Sequence, residues 1–377
     1  VPIAPTSFSA AAQELAADAG FDLCGVVPAA EPPAELEYFP EWIAAGRAGE
    51  MRYLESRNDA GELKRAALKN VAPWARSVIV CALNYNAAQP RSIDCKDSRR
   101  GWISRYAWFK DSGRDLATDY HDAVLSRLRR VEDALKQRFG EFESRSYVDT
   151  GPIVERVYAK QAGLGWLAKN TCLINQEKGS YLFLGVILTS VDLAPSLADS
   201  APLNLPAADR CGSCTRCIDA CPTQALTPYK MDATRCIAYL TIEKRGELPL
   251  EFREGIGNNV FGCDICQDVC PWNGAENTGR MPLPSRVPEF EARPELVNPP
   301  LEWLGRMSRD EFNAAFRHSP IKRAKFDGIR RNVAIAMGNS CDPHFLPLLE
   351  QLAVGSDSNL TEHARWAIER IKSAASA

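Results

Sequence analysis

The feature that most restricts this chain is a run of cysteines, Cys211-Gly-Ser-Cys214-Thr-Arg-Cys217-Ile-Asp-Ala-Cys221-Pro222. Its C-x2-C-x2-C-x3-C-P spacing is that of bacterial ferredoxins, in which three thiolates wrap one iron–sulfur cube and the fourth reaches a second. The proline then stops the segment from continuing as helix. A second, altered copy follows as Cys236, then Cys263-Asp-Ile-Cys266-Gln-Asp-Val-Cys270-Pro271, with its first cysteine far upstream of the others. On the two-cluster ferredoxin pattern, one 4Fe–4S cluster takes Cys211, Cys214, Cys217 and Cys270, and the other takes Cys221, Cys236, Cys263 and Cys266. The exchange of Cys221 and Cys270 comes from that pattern and is not fixed by spacing. Zinc is the competing metal for such thiolates; eight cysteines with two C-P endings weigh against it.

Thirteen cysteines in 377 residues are too sparse for a small disulfide scaffold, and their clustering points to metal thiolates and a reducing, cytoplasmic compartment. No export signal is visible in VPIAPTSFSA, and the most apolar stretch, Tyr181–Val191, is too short to cross a membrane as a helix. A net charge of −3 excludes a uniformly basic nucleic-acid binder, so any RNA surface must be local.

The length allows two or three domains. Ser7–Ala19 and Asp115–Phe139 carry a helical period, while Ser77–Leu83 and Tyr181–Thr189 read as buried strands, which together predict an α/β domain over residues 1–203. The proline-rich Ala194–Pro206 reads as a linker into a ferredoxin-like domain, 204–280. The stretch Met281–Pro300 then leads into a helical tail, 281–377. In that tail Ile329–Asn339 and Thr361–Ile371 each place an arginine before a small, apolar helix, as in HEAT-type repeats. An ordinary helical cap on the preceding domain is the alternative.

Two clusters conduct single electrons and do not themselves transform an organic substrate, yet some 200 residues precede them, more than a carrier requires. Around the clusters, Tyr147–Arg156 (YVDTGPIVER), Ala162–Asn170 (AGLGWLAKN), Cys236–Glu243 (CIAYLTIE) and Gly262–Asn273 (GCDICQDVCPWN) resemble the epoxyqueuosine reductase family over nearly the whole chain. The resemblance implies a nitroreductase-like corrinoid-binding domain beside the two-cluster module. It also implies a cobalamin-dependent enzyme that reduces the epoxide of epoxyqueuosine, at the wobble position of a tRNA anticodon, to queuosine. Removing an epoxide oxygen as water takes two electrons and two protons. Clusters fed by an external low-potential donor would charge cobalt to Co(I), and a positioned acid would protonate the departing oxygen.

Asp149, in VDTGP, matches the family's proton donor, and donation near neutral pH calls for a pKa raised by burial. The other reading is an Asp that caps the Gly151-Pro152 turn. Arg105, Tyr106, Asp119, Lys169, Asn170 and Ser180 lie in matching stretches as candidate corrin contacts, and Asp264 and Ile265 would face the corrin from between two cluster ligands. The stretch Arg105–Asp119 is longer than the family's compact version. His121 lacks the Asp-x-His-x-x-Gly context of a cobalt-ligating histidine, so no protein histidine is expected on cobalt.

Arg317–Arg331 holds six Lys or Arg against one Asp, a local excess suited to phosphates. Lys322, Arg323, Lys325, Arg330 and Arg331 are the candidate RNA contacts there, with Lys244 after the CIAYLTIE stretch. Arg99–Arg114 is a second basic stretch, interleaved with aromatics that would stack a splayed base. A solvated charged face is the plainer reading of either. Three other functions compete: a cobalamin-dependent reductive dehalogenase, a non-enzymatic electron carrier and a corrinoid-trafficking protein. The helical tail weighs against the dehalogenase and two clusters against trafficking, while a cobalamin-binding assay separates the carrier.

Overall fold

The computed structural model describes residues 5–29, 33–111, 116–117, 119–193, 207–274 and 281–376. The predicted linker 194–206, with the boundary at 203, lies outside the described residues, as do 112–115 and 118 of the long Arg105–Asp119 stretch and the boundary at 280.

The first domain is built on a four-stranded sheet of β1 (Leu23–Pro28), β2 (Ser77–Asn84), β3 (Ser144–Tyr147) and β4 (Leu182–Thr189). The order is β1-β2-β4-β3 and every pairing is antiparallel, with Cys24 opposite Cys81, Ser77 opposite Thr189 and Tyr147 opposite Val186. Every residue of β2 is buried because both faces of the sheet are covered. Its period of two sends Ile79, Cys81 and Leu83 toward α1 (Pro5–Asp18) and α2 (Tyr120–Phe139), and Val78, Val80 and Ala82 toward α3 (Glu155–Gln161). The helix α2 can sit this close only because residue 185 is glycine: a Cβ there would lie 2.7 Å from Leu128 Cδ1.

In the cysteine-rich unit two short helices, Arg216–Asp219 and Ile265–Asp268, pack on each other, and the second lies against the first domain. Buried polar bonds fasten it. Tyr181 donates to Asp268 Oδ1 (2.6 Å), Asn273 donates to Ser180 Oγ (2.7 Å), and Arg105 N donates to Asp264 Oδ2 (2.6 Å).

The tail centres on α5 (Lys325–Asn339) packed along α6 (Ser358–Ala375), placing both arginine-preceded segments in one helix pair. Residues 281–297, expected as the start of the tail, lie against the first domain instead. Asn84 and Asn86 hold the carbonyls of Leu283 and Pro282, and Phe290 joins the main core beside Phe109 and Phe183. An aromatic ring inside a short proline-rich segment outweighed the segment's linker-like composition.

The tail also grips α4 (Ile237–Ile242), whose last carbonyls would otherwise lack partners. Arg331 donates to the carbonyls of Leu240, Lys244 and Gly246 at 2.8–3.0 Å, and Asn332 donates to those of Thr241 and Val260. Arg331 is 1% exposed, so its reading as an RNA contact is corrected: its guanidinium caps a helix end.

Candidate functional site

A cavity of about 2080 Å³ opens where the three parts meet. Tyr106, Asp119, Tyr120, His121 and Asp149 line it from the first domain, Glu243 from the cysteine-rich unit, and Lys322, Arg323 and Lys325 from the tail.

Asp149 follows β3 in a bend and has φ +54°, a left-handed conformation that is uncommon for a residue with a Cβ. Such strain persists where the surroundings hold a side chain in a set direction. Here the carboxylate is directed at the first turn of α2, not at the Gly151-Pro152 turn. Its Oδ2 accepts from the Tyr120 hydroxyl at 2.8 Å and lies 3.7 Å from His121 Nε2. Asp119 is the N-cap of α2, accepting from the His121 amide at 3.0 Å, and its Oδ1 is 2.6 Å from His121 Nδ1. The imidazole therefore sits between two carboxylates, stacked on Tyr120, whose ring stacks in turn on Phe183.

This geometry sets the charges. Burial works against protonation of His121, but Asp119 and Asp149 overcome it and lift the imidazole to about 9. The same contact holds Asp149 below the usual carboxylate range, with Tyr120 helping and burial opposing. The expectation that burial raises Asp149 is thus overturned, because the sequence did not show that a cation stands beside it. At neutral pH the pair carries one proton, and it rests on His121. Glu155, which accepts from the Asp149 amide at 3.0 Å, is pushed up to about 7 by burial and by Asp149.

Several candidate corrin contacts do not line the cavity. Arg105 is buried, donating to the carbonyls of Ala87 and Gln89 beneath the Trp108 and Tyr181 rings. Lys169 donates to the carbonyls of Gly212 and Cys214, Asn170 to that of Cys266, and the Ser180 hydroxyl to Gln267. These three residues fasten the cysteine loops. Asp264 is buried against the Arg105 amide, and Ile265 packs with the α4 cluster. Tyr106 and Asp119 do line the cavity.

Of the RNA candidates, Lys244 is held by Glu50 at 2.6 Å and Arg330 is half-buried over the Phe326 ring. Tyr120, His121, Glu155, Tyr53 and Glu243 were missed as site residues. The one sequence signal was Asp119-Tyr120-His121 at a helix start, whose meaning depends on Asp149 arriving from elsewhere in the chain.

The cysteines fall into two neighbourhoods. Burial and the nearby thiols of Cys217 and Cys211 push Cys270 up to about 12. Burial likewise raises Cys236 and Cys263, with Cys221 beside both, while Cys266 is raised first by its contact with the Cys172 thiol, then by burial and by Cys263. Thiolates crowded in this way require a metal's positive charge to stay ionised. Trp166 Nε1 is buried and faces the Cys211 sulfur, with Cys270 packed beside it, where a cluster-bound sulfur would accept it.

Two family profiles match the chain: "4Fe-4S double cluster binding domain" over residues 210–273 and "Epoxyqueuosine reductase QueG, DUF1730" over residues 65–150. The epoxyqueuosine reductase of Xanthomonas campestris pv. campestris is 36% identical over 371 residues, covering 97% of this chain and 96% of its own. That of Synechocystis sp. is 39% identical over 312 residues, covering 82% and 98%. A crystal structure of an epoxyqueuosine reductase with an epoxyqueuosine-modified tRNA-Tyr stem loop superposes with a TM-score of 0.80 at 32% identity, covering 97% of this chain and 90% of that one. The Streptococcus thermophilus epoxyqueuosine reductase superposes at 0.79 with 27% identity, covering 96% and 90%.

Proposed function

The chain belongs to the epoxyqueuosine reductase family, and from that premise we propose that its cavity receives epoxyqueuosine at the wobble position of a tRNA anticodon and reduces the epoxide to queuosine. The observation that carries this reading is the His121–Asp149 pair in the wall of one cavity shared by the cysteine-rich unit and a basic tail.

The cavity's volume supports a cofactor larger than a drug-sized ligand, as a cobalamin is. Drug-sized ligands occupy about 300–1,000 Å³, and this cavity is about twice the upper figure, at about 2080 Å³. Tyr106 and Asp119 would contact the cobalamin, and Asp149 would face it. When bound, cobalamin supplies a strongly reducing metal centre that accepts single electrons and delivers a pair. Both His121 nitrogens face carboxylates, which supports the reading without a protein histidine on cobalt.

The chain's own groups manage the proton. Asp149, charged at rest, is placed to relay to the departing oxygen the proton that the His121 imidazolium holds, and solvent in the open cavity supplies the second proton of the water. Tyr120 fixes the carboxylate's direction. Low-lying charge on Asp149 favours positioning, while His121 keeps a proton available at neutral pH.

We assign Cys211, Cys214, Cys217 and Cys270 to one 4Fe–4S cluster, and Cys221, Cys236, Cys263 and Cys266 to the other, a grouping supported by the two thiol neighbourhoods. An external low-potential donor would feed them. Lys322, Arg323 and Lys325 form the basic rim toward RNA. We read the first domain as nitroreductase-like, the tail as a HEAT-like helix pair and the compartment as cytoplasmic; no described helix is long and apolar enough to cross a membrane.

The test is conversion of epoxyqueuosine-containing tRNA to queuosine tRNA by anaerobically reconstituted protein with a strong reductant. No conversion with both clusters and cobalamin present refutes the assignment.

A further inference from the structure

Glu243 is the C-cap residue of α4 and stands in the cavity wall. Arg323 meets it with a two-pronged grip, Nε to Oε1 at 2.9 Å and Nη2 to Oε2 at 3.0 Å. The same guanidinium lies over the Tyr53 ring, 5.4 Å from its centroid. One planar, forked donor is thus doubly bonded to a carboxylate and stacked on an aromatic face.

The two partners differ in exposure. The Glu243 side chain is 19% exposed and the Arg323 side chain 52% exposed. A carboxylate so far withdrawn from water needs donors, whereas the exposed arginine can leave for solvent or phosphate at small cost. Tyr53 is also half-exposed, although its ring is large and apolar. Within this chain, the arrangement holds a group that another molecule could replace.

A guanine-type base has the matching form. Its N1–H and exocyclic N2–H lie side by side on one edge of a flat ring, the same fork on a surface that stacks. Epoxyqueuosine is a 7-deazaguanosine modified at the opposite side of the base, so this edge is intact. Its epoxide-bearing substituent would then extend away from Glu243, toward Asp149 in the same cavity.

We propose that Glu243 and Tyr53 form the seat of the substrate base: its N1–H/N2–H edge takes the place of the Arg323 guanidinium on the Glu243 carboxylate, its ring stacks on Tyr53, and the released Arg323 turns to the RNA backbone. The inference rests on the proposed reaction and adds what recognises the base. Adenine and the pyrimidines lack the two adjacent donors, so the carboxylate selects a guanine-type edge and leaves others with an unpaired buried charge.

The experiment measures binding of fluorescent anticodon stem-loops to the anaerobic holoenzyme by anisotropy. One RNA carries guanosine at the wobble position; the other carries inosine, which lacks the 2-amino group. The native protein should bind the guanosine RNA about tenfold more tightly, the worth of one hydrogen bond to a charged group. Glu243→Gln should reduce that ratio to below about threefold. Arg323→Ala should weaken both RNAs alike and preserve the ratio. Equal binding of the two RNAs by the native protein overturns the proposal without need of any variant, and so does a Glu243→Gln protein that keeps the tenfold gap. The same preparation is assayed for turnover. Turnover with no gap sinks the base seat and leaves the reaction standing; a Glu243-dependent gap without turnover sinks the reaction and leaves the seat.

Discussion

Replacing His121 by Gln removes the group that holds the catalytic proton and keeps a side chain of similar reach. In the native protein, burial opposes protonation, but Asp119 at 2.6 Å and Asp149 at 3.7 Å lift His121 to about 9. A raised histidine pKa means that the proton, and the stability it adds, is fully present below the ordinary value near 6.5 and is lost as pH rises through about 9. The alkaline limb of kcat/KM should therefore fall near pH 9. In His121→Gln the proton has only a carboxylate to rest on. A carboxyl of ordinary pKa near 3.9 is protonated about once in 4,000 molecules at pH 7.5. The Asp149 side chain is 70% exposed to the open cavity, so burial recovers little of this, and the expected fall in kcat/KM at pH 7.5 is on the order of 10³-fold. The loss should shrink as pH is lowered, with the alkaline limb displaced below 7. The assay is anaerobic conversion of an epoxyqueuosine stem-loop between pH 6 and 10. An alkaline limb in the variant that coincides with the native one would refute the proton's placement on His121.

Asp149→Asn should bind cobalamin as the native protein does, by its absorption spectrum, and lose turnover at least about 10²-fold; full activity removes Asp149 from the chemistry. Replacing Lys322, Arg323 and Lys325 together by Ala should weaken tRNA binding and lower the slope of log K against log salt by about 2. An unchanged slope places the RNA elsewhere. Arg331→Met should leave that slope alone. It strands the carbonyls of Leu240, Lys244 and Gly246 in a buried site, costing about 3 kcal/mol after the gain from no longer burying a charge. A lowered anaerobic melting temperature with native tRNA affinity is the expected pair of results, and weakened RNA binding in a protein of native stability would restore Arg331 to the RNA surface.

What the sequence determined by itself was chemistry carried by close spacing and elements carried by periodicity. Seven cysteines at ferredoxin intervals, with Cys236 set apart upstream, point to iron–sulfur chemistry because the ligands of each loop are fixed by a few bonds of local chain. The buried strands at Ser77–Asn84 and Leu182–Thr189 and the amphipathic Tyr120–Phe139 were legible because side-chain direction repeats with the backbone.

Only the tertiary structure decided which charges are free to act, because burial and partner distance are not properties of a residue type. Arg331 and Arg105 read like ligands of phosphate and corrin, yet both neutralise backbone carbonyls in the interior. His121 and Asp149 come from different elements, and their ionisation depends on a separation that no local pattern encodes. Residues 281–297 read as the start of the tail, yet Phe290 finds its place in the first domain among Phe109 and Phe183. In each case the deciding quantity is electrostatic or packing energy between chain segments far apart in sequence, and that energy exists only once the fold has brought them together.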